Sequence, residues 1–73
     1  MVPLNEKLVA LAMMDALKRN GAFENEELFK TVQKLHGDLE RGLFDEILMR
    51  LEIQGMIRVY SLSRERRRIE LTR

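Results

Sequence analysis

The 73-residue chain has no cysteine, no tryptophan, a single histidine, a single proline and only three Phe and one Tyr. Without cysteine there is no disulfide, no thiolate metal site and no Cys-His nucleophile pair. The four glycines, at positions 21, 37, 42 and 55, each stand alone, so no glycine-rich phosphate loop is present. No apolar run reaches the roughly 18 residues needed to span a bilayer. The opening Met1–Leu8 lacks the charged-then-apolar layout of a secretion signal, and the expected compartment is the cytoplasm. No internal repeat, low-complexity tract or Pro/Gly/Ser linker divides the sequence. Residues 1–73 are therefore expected to form one domain.

A chain this short buries only about 60–65% of the surface that its unfolded form exposes, so its apolar positions are all needed for the core. Hydrophobic residues make up 45% and the net charge is only +1, which argues against disorder. That small net charge hides an asymmetry. Residues 1–57 hold 7 basic and 10 acidic side chains, whereas residues 58–73 hold 6 basic, all Arg, and 2 acidic. An acidic body thus carries one cationic, anion-attracting end.

Three helices can be read from apolar spacing and punctuation. The first runs from Leu4 to Asn20 and ends at Gly21, with Lys18 and Arg19 in its last turn against the negative end of the helix dipole. The second runs from Asn25 to His36, with Asn25 as N-cap, Glu26 and Glu27 in the first turn and Gly37 as the stop. Leu28, Val32 and Leu35 form its inward face. The third follows Asp38, a second candidate cap, and continues to Gln54 before Gly55. Its inward stripe is Leu39, Leu43, Phe44, Ile47, Leu48 and Leu51. Gly42 inside this helix points to a close approach of another backbone.

After Gly55 the apolar period falls from 3.6 to 2. Ile57 and Val59 alternate with Met56, Arg58 and Tyr60, and Ile69 and Leu71 alternate with Arg68, Glu70 and Thr72. With the charged stretch 62–67 between them, the two runs form a β-hairpin. A short strand at Ala22-Phe23 is placed to pair with it.

Three segments carry a resemblance. Leu51-Glu52-Ile53-Gln54-Gly55-Met56-Ile57 has the pattern in which a third helix breaks at Gly and enters a first wing strand. Met13-Met14-Asp15-Ala16-Leu17-Lys18-Arg19-Asn20-Gly21, followed by Glu27-Leu28, looks like a first helix, its Gly turn and the opening of a second. Arg68-Ile69-Glu70-Leu71-Thr72 is similar to a closing wing strand. Together they resemble the winged helix-turn-helix superfamily over nearly the whole chain. The implied fold is α+β, a three-helix bundle followed by a C-terminal β-hairpin wing. The resemblance also implies binding to duplex DNA, the third helix entering the major groove and the wing touching backbone or minor groove.

The outward face of the third helix carries Gly42, Asp45, Glu46, Met49, Glu52 and Ile53. Three carboxylates there repel a polyanion, and Met49 and Ile53 offer only apolar contact. Arg41 and Lys34 are the positive charges near its start. The hairpin differs: Arg64, Arg66, Arg67 and Arg68, with Arg58 and Arg73, form a cationic patch whose planar guanidinium groups suit phosphate oxygens. Two readings stay open. In one, a small non-enzymatic DNA-binding protein, a transcription regulator or chromosome-associated protein, grips duplex DNA through its Arg-rich hairpin. In the other, the face formed by Met49, Ile53, Asp45 and Glu46 docks a protein partner while the arginines only keep a sheet edge solvated.

The first helix is apolar on two sides. Ala10, Met13, Met14 and Leu17 form one stripe, and Leu4, Leu8 and Leu11, flanked by Ala12, form another. The second stripe is expected to be a homodimer or partner interface, unless Val2-Pro3-Leu4 folds back and that stripe packs on the far side of the hairpin. No cofactor, metal or membrane is expected. His36, Asp38 and Glu40 straddle a helix end, where dipole and capping roles suit them better than metal binding. Ser61 and Ser63 have no neighbouring base, so no catalytic residue is proposed.

Overall fold

A computed structural model describes residues 4–72. The element order is α1 (Leu4–Asn20), β1 (Ala22–Glu24), α2 (Asn25–Leu35), α3 (Arg41–Ile53), β2 (Ile57–Ser61) and β3 (Arg67–Leu71). Three helices and a three-stranded antiparallel sheet make a small α+β fold. In the sheet the last strand lies in the middle, in the order β1-β3-β2. Val2 and Pro3, the proposed fold-back, and Arg73 of the cationic patch lie outside the described residues. Among the described residues no helix is long and apolar enough to cross a membrane.

Two glycines set the helix exits. Gly21 (φ +89°) ends α1 in the left-handed region, its N–H donating to the Leu17 carbonyl at 2.7 Å. Gly55 (φ +79°) ends α3 in the two-bond form of the same cap. Its N–H donates to Glu52 at 3.0 Å, and the next N–H, of Met56, reaches Leu51 at 2.9 Å. Only glycine reaches such φ values without a Cβ penalty, which is why both turns fall at Gly.

β3 ties the hairpin to the body. Ile69 stands opposite Val59 on β2 and Phe23 on β1, and this central row faces the helices. Ile69, Met13, Leu17, Leu28, Val32 and Phe44 are fully enclosed, with Val9, Ile47 and Ile57 nearly so. The hydrophobic core is therefore one cluster shared by all three helices and the sheet. Phe29 meets Phe44 edge to face at 5.2 Å, which adds a directional contact between α2 and α3.

Four expectations are corrected. Val9, left out of the inward stripe of α1, is buried, while Ala10 and Met14 are only half-buried. Leu35 is 72% exposed: it is the last residue of α2, at the margin of the Leu28/Val32 face, where the chain turns outward. The N-cap of α3 is Glu40, not Asp38, because 36–39 form a turn in which the Leu39 N–H donates to the His36 carbonyl. Gly42 lies in open space, with nothing near the position a Cβ would take.

Gly42→Ala should accordingly stabilise the fold by up to about 1 kcal/mol through helix propensity alone. In a chain of this size that raises Tm by up to about 4–8 °C. Thermal unfolding followed by circular dichroism checks it, and a lowered Tm would mean that the space above Gly42 is filled.

Candidate nucleic-acid interface

The hairpin is held from below by the β1–α2 junction. Asn25 opens α2, yet its side chain does not cap the helix, as the sequence suggested. It is 5% exposed and faces the hairpin across some forty residues of sequence. Its Oδ1 accepts the Arg67 N–H at 3.1 Å, and its Nδ2 donates to the Glu65 carbonyl at 3.4 Å. The cap position belongs to Glu24, whose own N–H donates to Glu27 Oε1 at 3.4 Å. The Glu24 carboxylate receives Arg66 in a bidentate pair, Nε at 3.1 Å and Nη2 at 2.5 Å. Inside the tip, the N–H groups of Leu62 and Ser63 both donate to the Arg66 carbonyl, at 2.8 and 3.1 Å. The tip is a closed turn pinned at two adjacent residues.

This arrangement divides the cations that the sequence singled out. Arg66 is engaged by Glu24, Arg68 by Glu70 of its own strand at 2.7 Å, and Arg41 by Glu26 of α2. Arg41 also lies over the Phe29 ring, 4.6 Å from its centroid, and so fastens the start of α3 to α2. Arg58, Arg64, Arg67 and Lys34 form no ion pair among the described residues, and all four are exposed. Lys34 is not brought to the hairpin: it sits nine residues along α2 from Asn25, about 14 Å further down the axis. Arg64 is at the tip. Arg67 turns toward α3, lining a hollow with Asp45, Leu48, Met49, Glu52 and Val59. Arg58 projects beside Tyr60, whose hydroxyl raises the guanidinium pKa further, with Glu70 opposite on β3 adding to the effect.

The α3 face beside this hollow is apolar in its middle and acidic around it. Met49 is 58% and Ile53 77% exposed, with Glu46 and Glu52 exposed and Asp45 half-buried. Arg50 offsets part of that charge by pairing with Glu46 at 3.2 Å and Glu6 at 3.3 Å. Among the described residues no cluster of three or more His, Cys, Asp or Glu side chains is arranged to hold a metal ion. On α1, Leu8 and Leu11 are 46% and 64% exposed, and Leu4 falls in the same register, its side chain outside those described.

Sequence reasoning missed Glu24 and Asn25 as the residues that hold the hairpin. Their partners lie far along the chain, and a Glu-Asn pair at a helix start reads as a local cap. It also missed that Leu35 joins Ala12, Ala16 and Phe23 in an open groove between α1 and α2.

The Arg66 guanidinium lowers the Glu24 carboxyl pKa below its ordinary value. The pair therefore holds the hairpin above the ordinary carboxylate range, and its contribution is lost as pH falls through the lowered Glu24 pKa. An NMR titration of the Glu24 side-chain carboxyl should give a depressed midpoint that returns to the ordinary value in Arg66→Met. Equal midpoints in both proteins would show that the pair does not persist in solution. Asn25→Ala, which leaves the part-buried Arg67 N–H without its acceptor, should cost about 1 kcal/mol in urea unfolding. An unchanged unfolding midpoint would mean that water replaces the amide.

Comparison with protein-family profiles, with curated proteins and with solved structures finds no match to this chain.

Proposed function

We propose that the chain is a winged helix-turn-helix domain and a small, non-enzymatic, cytoplasmic DNA-binding protein that grips duplex DNA mainly through its hairpin, the wing. Its role is transcription regulation or chromosome association. The element order supports the fold: three helices with a short strand between the first two, then a hairpin whose last strand pairs with that strand. The observation that carries the function is the pinned hairpin tip. It presents Arg64 to solvent and leaves Arg67, at the start of β3 beside the α3 hollow, exposed and without an ion pair among the described residues, while Arg66 is held by the body.

A rigid loop loses little conformational entropy when its guanidinium groups meet phosphate, so each contact keeps more of its electrostatic gain. Arg58, on the outer strand, adds a third cation. The acidic rim of α3 opposes insertion of that helix into a groove, because Asp45, Glu46 and Glu52 would face phosphates and base-edge acceptors. Binding is accordingly directed at the backbone and weakly dependent on sequence.

A second reading is favoured by one observation: Met49 and Ile53 stand exposed side by side on α3 within an acidic frame. Such a surface, apolar at the centre and charged at the rim, fits a protein partner with a complementary basic edge. In that case the hairpin binds an acidic surface or nothing.

Titration with unrelated duplexes over a range of salt separates the two. With two or three phosphate contacts per protomer, log K should fall against log salt with a slope of about −2 to −3. Arg64→Ala with Arg67→Ala should remove most of the binding, and Met49→Asp should leave it intact. Absence of duplex binding at low salt would contradict the DNA reading. Co-purification of a protein that is lost in Met49→Asp would favour the docking reading.

A further inference from the structure

β2 is an edge strand left bare. It pairs with β3 on one side, and among the described residues no strand lies on the other. The Thr72 N–H donates to the Met56 carbonyl at 3.1 Å and the Leu62 N–H to the Arg66 carbonyl at 2.8 Å. Antiparallel alternation therefore turns the backbone groups of Met56, Arg58, Tyr60 and Leu62 toward β3, and those of Ile57, Val59 and Ser61 toward the free edge. An open hollow runs along this edge, lined by Glu52, Gly55, Val59 and Tyr60. Sheet edges are normally blunted by proline, lysine, a bulge or a covering element. The Ile57–Ser61 strand holds no proline or lysine, and its register with β3 is unbroken.

The side chains indicate that the strand fitting this edge is another β2. Met56, Tyr60 and Leu62 are 44%, 42% and 49% exposed, and with Arg58 they occupy the face turned away from the helices. Two copies of β2 laid antiparallel about Val59 pair Ile57 with the partner's Ser61 and Val59 with the partner's Val59. Every free N–H and C=O on the edge then has an opposite number. On the outer face the same register sets Met56 against the partner's Leu62 and Arg58 against the partner's Tyr60, and the two-fold axis repeats both contacts. Each Tyr60 ring lies between Arg68 of its own β3 and the partner's Arg58, while Arg58 keeps Glu70 on its other side. A slip of two residues either way leaves Ile57 or Ser61 unpaired, and one of the two slips opposes Arg58 to its own copy.

We propose that β2 pairs antiparallel with β2 of a second copy of this chain, joining the two sheets into one across a two-fold axis at Val59. The pairing leaves Arg64 and the hairpin tip free, and it does not rest on the DNA reading.

Sedimentation equilibrium and amide hydrogen exchange on the full chain, both without nucleic acid, test the proposal. Wild type should be dimeric at micromolar concentration. The Ile57, Val59 and Ser61 amides should exchange about tenfold more slowly there than at dilutions where the protein is monomeric, while those of Arg58 and Tyr60, bonded to β3 in either state, change less. Ser61→Pro removes an N–H from the free edge and none from the ladder with β3. It should weaken the dimer about tenfold with an unchanged circular dichroism spectrum. Tyr60→Lys, which faces the partner's Arg58 with a like charge, should weaken it about tenfold, and Tyr60→Glu should stay within about threefold of wild type. A wild-type monomer at the highest soluble concentration overturns the proposal, as does a dimer whose Ile57, Val59 and Ser61 amides gain no protection. Equal association of Tyr60→Lys and Tyr60→Glu overturns the register about Val59.

Discussion

The architecture turns on two neighbouring residues, Glu24 and Asn25, where β1 ends and α2 begins. From there one carboxylate and one buried amide reach across some forty residues of sequence to hold the tip of the hairpin. A two-stranded ribbon alone is marginal in water. This one is anchored at its base by Ile57 and at its middle by Ile69, both in the core, and at its tip by Arg66 and the Arg67 N–H. The amide matters more than its single bond suggests, because a buried polar group left without partners costs more than an exposed ion pair contributes. The Glu24–Arg66 pair, largely solvent-exposed, sets direction rather than supplying much stability.

From that constraint follows the division of labour among the arginines. Sequence presents them as one basic run, but the fold assigns them different partners. Arg41 clamps α3 to Phe29 and Glu26, Arg66 holds the tip, and Arg68 lies against Glu70. What remains for an external anion is a smaller group: Arg64 at the ordered tip, Arg67 at the start of β3 on the face toward α3, and Arg58 on β2 on the opposite face of the sheet. The acidic and apolar face of α3, next to Arg67, makes this a surface of mixed character, cationic at the hairpin and anionic along the helix. In the proposed DNA reading, a polyanion would be attracted to the first and repelled by the second.

Much of the fold was legible in the sequence because its signals are local. The bounds of α1, the glycine exits at 21 and 55, the change of period after Gly55 and the short strand before α2 all follow from residues within a turn or two of the feature. The failures share a cause as well. Asn25 and Asp38 both read as caps by composition, yet tertiary contacts draw Asn25 to the hairpin, and a tight turn at 36–39 moves the cap of α3 to Glu40. Leu35 and Val9 were misplaced because a helix margin is decided by where the neighbouring elements lie, which periodicity alone does not give. In the candidate site, the basic and apolar surfaces were visible as residue types. Which cations are already paired was not, since Glu24–Arg66 and Glu26–Arg41 join segments that no sequence pattern connects.

The central claim is that the body fixes the hairpin so that Arg64 and Arg67, with Arg58, meet phosphate while Arg66 stays with Glu24. It is tested most directly by NMR of the arginine Nε–H and methionine methyl groups during titration with a short duplex. The account predicts that the Arg58, Arg64 and Arg67 signals shift together as duplex is added, while Arg66 Nε–H and the Met49 methyl hold their positions. Shifts centred on Met49, or an Arg66 signal that moves first and furthest, would contradict it.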